Sequence, residues 1–136
     1  MGALISGFHH VCVKTRDWDR TMFFYKDTLG FAEKIAWRSA PQRAVMLDAG
    51  DGNYLEVFED LAYTPAPDGA VVHFALRTVH LDEVAVRVRA TGATITMEPK
   101  DVTIATTNAH APVPIRIFFC AGPNGEIIEF FQNSLT

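Results

Sequence analysis

Four residues of this chain have types and positions suited to holding a metal ion: His10, Glu56, His73 and Glu129. Each sits inside an apolar, strand-like run, and strand side chains alternate between two faces. In "HVCVK", Val11 and Val13 share one face, which leaves His10 on the other with Cys12 and Lys14. In "VVHFALR", Val72, Phe74 and Leu76 form the apolar set, and His73 lies opposite with Ala75 and Arg77. Leu55 and Val57 bracket Glu56; Ile128 and Phe130 bracket Glu129. An ionised carboxylate in such surroundings is costly unless it is paired or bound to a cation. Two neutral imidazoles and two carboxylates suit a borderline divalent ion, with room left for water. A lone strand histidine is ordinarily structural, and a lone glutamate can be an exposed edge residue. Four of them in a repeated pattern are harder to assign to chance.

The elements that must position them read as a repeat. Phe8 to Lys14 is a strand, and Asp17 stands as the N-cap of a helix with Trp18, Met22, Tyr25 and Leu29 as its apolar stripe. Gly30 ends that helix, and the strands "FAEKIAWR", "RAVMLDA" and "YLEVFE" follow, with turn chemistry at Gly50 to Asn53. The second half runs in the same order. "AVVHFALR" is a strand; Leu81, Val84 and Val88 make a helical stripe closed by Gly92; "TITM", "IRIFFCA" and "EIIEFF" are strands, the last two joined by "GPNG". The stretch from Glu98 to Pro114 is expected to be a long irregular segment of the kind that forms lids. His10 and His73 stand about 63 residues apart, so a βαβββ unit is used twice. The expected fold is α+β, two tandem βαβββ modules forming a curved mixed sheet within one domain over 1–136. Module one covers about 7–60 and module two about 70–133. His9 faces away from His10, while His80 at a helix start and His110 in the long segment read as surface residues. Cys12 faces the site side and reads as a small packing residue.

Composition narrows the function classes. The formal charge is −4 without any basic run, which excludes a nucleic-acid footprint. Apolar residues make up 49%, enough for a core, yet no apolar run reaches the length of a membrane span. The start "MGALISGF" lacks the pattern of a secretory signal, and its match to a myristoylation site is too short to carry weight. Cys12 and Cys120 form no CxxC pair, so a reduced, cytoplasmic setting is expected.

The stretch "HHVCVKTRDWDRTMFFYKDTLGF", followed in order by "YLEVFE", "VVHFALR" and "GPNGEIIEFF", resembles the vicinal-oxygen-chelate superfamily over nearly the whole chain. That superfamily spans glyoxalase I, an epimerase, extradiol dioxygenases, thiol transferases that inactivate fosfomycin, and metal-free bleomycin-binding proteins. Glyoxalase I is the nearest match, because its ligand order of His, Glu, His, Glu falls on His10, Glu56, His73 and Glu129. The resemblance implies a divalent metal (Ni, Co, Zn, Fe or Mn), chelation of two vicinal substrate oxygens, and an enediolate formed by proton removal, with Glu129 as the base. The substrate would be a small molecule, such as a thiol hemithioacetal, and the protein a homodimer. Asp60 replaces the Asn that helps glyoxalase I hold glutathione, and its charge would repel that thiol's carboxylates. Lys14 stands where that enzyme has Arg. Two other readings of the resemblance differ in class. An iron-dependent extradiol dioxygenase would use His10, His73 and Glu129. A metal-free small-molecule binding or resistance protein would line its cleft with Trp37, Tyr54, Phe58 and Phe119.

Overall fold

The computed structural model describes residues 8, 10–39, 42–65, 73–105 and 111–136. The chain divides into two compact units, Met1–Thr64 and Pro65–Thr136. In the first, β1 (His10–Thr15) leads to α1 (Trp18–Met22), a π-helical segment (Phe23–Thr28), β2 (Ala32–Ser39), β3 (Gln42–Asp48) and β4 (Tyr54–Glu59). The sheet order is β1-β4-β3-β2, with β1 parallel to β4 and the remaining pairs antiparallel.

Local chemistry sets the path of the chain. Thr15 Oγ1 accepts from the Asp17 backbone N–H at 2.9 Å, and Asp17 in turn caps Arg20 N at 3.1 Å. The helix does not keep the expected 3.6-residue stripe. Leu29 N donates to Phe24 O at 3.1 Å, a five-residue step, and this wider winding changes which side chains turn inward. Thr21, Phe24 and Tyr25 are buried, whereas Trp18, Met22 and Leu29 are half-buried. The apolar side of the sheet is Val45, Leu47, Leu55 and Val57, all buried. At the β3–β4 turn, Asp48 Oδ1 accepts from Gly50 N (2.7 Å) and Gly52 N (3.3 Å). Both glycines have positive φ, +108° and +81°, which a side chain would oppose.

One polar cluster ties β3, β4 and α1 together. Glu59 accepts from Arg43 N (3.1 Å), Nε (3.1 Å) and Nη2 (2.7 Å), while the guanidinium lies 4.9 Å from the centre of the Trp18 ring. The Arg43 side-chain and backbone donors hold the Glu59 carboxyl down at about 2, against an ordinary 4.5. A depressed folded-state value contributes stability that is present above the ordinary range and lost as pH falls from about 4.5 toward 2. Glu59→Gln is therefore expected to flatten the acid limb of the stability curve. Urea midpoints measured between neutral pH and pH 2 check this; equal acid slopes in both proteins would refute it.

The second unit repeats the topology. β5 (Phe74–Arg77), α2 (Leu81–Ala90), β6 (Ile95–Ile104), β7 (Val113–Ala121) and β8 (Ile127–Gln132) form a sheet of order β5-β8-β7-β6, again with the first pair parallel. The fold is thus α+β with tandem βαβββ modules. Even the strand-to-helix corner recurs: Thr78 Oγ1 accepts from His80 N at 2.9 Å, as Thr15 does from Asp17. Phe118, Cys120, Ile128 and Phe130 are buried on the helix side with Leu81, Ala85 and Val88 of α2. Phe118 and Phe130 stack at 4.4 Å and 8°.

The expected irregular stretch from Glu98 to Pro114 is a correction. β6 continues to Ile104 and β7 already begins at Val113. Pro99 stands within β6, an edge strand with bulges between Ile95 and Met97 and between Met97 and Lys100. Proline is tolerated in such places because no ladder hydrogen bond is lost. His9, Val72 and His110 lie outside the described residues. Among the described residues no helix is long and apolar enough to cross a membrane.

Candidate functional site

Each unit turns one sheet face away from its helix, and the four candidate ligands occupy those faces. In the first unit the parallel register sets Cys12 beside Glu56 and His10 beside Tyr54. Leu55 and Val57, on either side of Glu56, are buried against the helix side, so Glu56 takes the opposite face. His10 Nε2 lies 3.7 Å from Glu56 Oε1, the carboxylate side chain being 12% exposed. In the second unit Ala75 and Phe119 flank Glu129 in register. His73 Nε2 lies 3.0 Å from Glu129 Oε2, and that glutamate side chain is also 12% exposed. The His73 ring meets the Phe119 ring edge-on at 5.4 Å, which fixes its plane.

The alternation of the strands therefore brings together His10 with Glu56, and His73 with Glu129. Among the described residues no group of three or more His, Cys, Asp and Glu is placed to hold a metal ion. The donor chemistry of each pair nonetheless fits a borderline divalent ion. Both histidines present Nε2 toward a carboxylate oxygen. Two ligands on one such ion, each bonded at about 2.0–2.2 Å, stand roughly 3 Å apart, close to the 3.0 Å and 3.7 Å separations found.

Several neighbours were not legible from residue types. Cys12 touches the carboxylate of Glu56, and its thiol is pushed up to about 11, first by loss of solvent and then by that contact. The shift favours the neutral thiol at physiological pH. Cys120, the other cysteine, is buried on the helix side and pushed up to about 12 by burial. Lys14 Nζ lies 3.5 Å from Asp60 Oδ2, so the expected repulsive charge of Asp60 is met by a cation within its own unit. Trp37 and Phe58 meet edge-to-face at 5.9 Å. Phe58 shares the Glu56 face, two residues along β4. Only the strand register reveals the Cys12 and Phe119 contacts, because it pairs residues far apart in sequence.

Comparison with known proteins agrees with the fold. The family model described as Glyoxalase/Bleomycin resistance protein/Dioxygenase superfamily matches residues 7–130. Among solved structures, the chain is similar to the fosfomycin resistance protein FosX from Mesorhizobium loti, with a TM-score of 0.71 and 15% identity over 97% of this chain and 95% of that one. It is similar to a glyoxalase family protein from Enterococcus faecalis, with a TM-score of 0.70 and 20% identity over 95% of this chain and 99% of that one. The trypanothione-dependent glyoxalase I of Leishmania major gives a TM-score of 0.70 and 19% identity over 94% of this chain and 87% of that one. At these identities the likeness is one of fold.

Proposed function

The chain belongs to the Glyoxalase/Bleomycin resistance protein/Dioxygenase superfamily, and from that membership we propose that it is a metal-dependent lyase or isomerase of the glyoxalase I type. Its substrate would be a small molecule with two vicinal oxygens, such as a thiol hemithioacetal. The observation that carries the reading is the repeated pair, a histidine Nε2 against a shielded glutamate oxygen in both units. His10, Glu56, His73 and Glu129 are the residues that would hold the ion. A bound divalent ion supplies Lewis-acid stabilisation of negative charge developing on a substrate oxygen.

The remaining work falls to the side chains. Neutral His10 and His73 and ionised Glu56 supply lone pairs and keep their places. Glu129 is the proposed base, taking a proton from a substrate carbon and returning it. Its register neighbours Ala75 and Phe119 are uncharged, so neither ties the carboxylate up in an ion pair. Glu56 lies beside Cys12, whose thiol can donate to it and hold it still. These differences favour Glu129 for proton movement and Glu56 for holding. Because imidazoles must be neutral and carboxylates ionised to bind a cation, affinity for the ion is expected to fall in acid.

The test is elemental analysis of purified protein, followed by substrate trials under nitrogen using methylglyoxal with several thiols. Wild-type protein is expected to carry a divalent metal in stoichiometric amount and to wash solvent deuterium into product without oxygen. His73→Ala is expected to lose stoichiometric metal. Retention of wild-type affinity in that variant would overturn the ligand assignment, and turnover that requires oxygen would favour dioxygenase chemistry. Light scattering of the same samples is expected to give a homodimer mass.

A further inference from the structure

We propose that Arg77 is a specificity-determining residue that binds a carboxylate on the substrate, so that the substrate is a carboxylic acid in addition to offering two vicinal oxygens. This rests on the reading of His73 and Glu129 as metal ligands. The tandem repeat provides an internal comparison. Four residues beyond His10 stands Lys14, and four beyond Glu56 stands Asp60; the two form an ion pair at 3.5 Å. The same steps from His73 and Glu129 lead to Arg77 and Asn133. Asn133 is uncharged and already engaged, its Oδ1 accepting from the backbone N–H groups of Leu135 and Thr136, both at 2.8 Å. Among the described residues the cation at the equivalent place in the second unit thus has no carboxylate matching the one that Lys14 meets.

The other arginines of this unit sharpen the contrast. Arg116 pairs with Asp82 (2.8 Å) and Asp101 (3.2 Å), Arg87 with Glu83 (2.9 Å), and Arg89 with Glu98. Among the described residues Arg77 alone of these four has no carboxylate partner. Its place is also informative. Ala75 is level with Glu129 and Arg77 with Phe131, so Arg77 is displaced from the glutamate by two residues, about 7 Å along the strand. Alternation puts it on the same sheet face as Ala75 and Glu129. A guanidinium there presents a planar fork of donors that matches a carboxylate in bidentate fashion. The carboxylate missing from the chain would come from the ligand.

The experiment uses the full chain loaded with zinc, under nitrogen, and compares calorimetric binding of catechol with that of 3,4-dihydroxybenzoate. Both probes offer the same vicinal oxygens, and only the second adds a carboxylate across the ring. Wild type is expected to bind the carboxylated probe about tenfold or more tightly than catechol, roughly the effect of one charge-assisted hydrogen-bonded pair. Arg77→Ala is expected to erase that preference while leaving the catechol Kd unchanged, and Arg77→Lys to restore part of it. Lys14→Ala is expected to keep the preference, because Lys14 is held by Asp60. A preference that survives Arg77→Ala, or disappears only in Lys14→Ala, overturns the role of Arg77 while leaving the metal reading intact. Failure of both probes to bind zinc-loaded wild type overturns the metal reading and this proposal together. Arg77 is exposed, so its replacement leaves the fold in place, and a thermal melt of the variant confirms it.

Discussion

Glu129→Gln is expected to lower turnover by on the order of 10² to 10⁴, the usual contribution of a general base. Glutamine keeps the length of the side chain and one oxygen able to serve as a ligand, but it cannot accept the proton. The variant should therefore retain metal while losing rate, and it should fail to exchange solvent deuterium into product. Glu56→Gln should behave in the opposite sense, weakening metal binding more than it slows the loaded protein. The contrast follows from surroundings. Glu129 has the uncharged Ala75 and Phe119 as its register neighbours, whereas Glu56 has the Cys12 thiol. Metal content and rate measured on the same preparation, with the substrate identified under nitrogen, decide the matter. A full rate in Glu129→Gln would remove it as the base. Failure with glutathione alone would leave the assignment standing, since a different thiol, or none, satisfies the same chemistry.

Phe118→Ala is expected to destabilise the second unit by about 3–5 kcal/mol, the cost of emptying a large aromatic site in a packed core. Phe118 is fully buried and stacks on Phe130 at 4.4 Å. Phe118 and Phe130 immediately adjoin Phe119 and Glu129, whose side chains take the opposite face. The helix-side stack thus holds the two strands that aim Phe119 at His73 and Glu129 at the same imidazole. Urea unfolding should show a lower midpoint with little change in slope, and Phe118→Leu should recover most of the loss because it refills part of the volume. A midpoint within experimental error of wild type for Phe118→Ala would show that this stack does not anchor the sheet.

Much of this architecture is legible in local pattern. Period-two alternation placed His10 opposite Val11 and Val13, and Glu129 opposite Ile128 and Phe130, because a strand leaves each side chain only two directions. Glycines at Gly30 and Gly92, both with φ of +83°, marked the helix ends because only a residue without Cβ enters that region freely. The recurrence of these signals identified the tandem βαβββ fold. Non-local contacts were beyond such reasoning. Nothing in the first strand alone says that Cys12 lies level with Glu56, since register in a parallel pair is set by packing across a long connection. The π-helical turn that buries Phe24 and Tyr25, and the edge position that lets Pro99 remain in β6, depend on what packs or fails to pack beside them. The sequence by itself determined which face each candidate ligand takes and which residue types meet there. The tertiary structure decided the 3.0 Å and 3.7 Å His–Glu separations and the pairing of Lys14 with Asp60. Face is a property of the single strand, whereas distance and charge compensation arise only when separate strands are laid side by side.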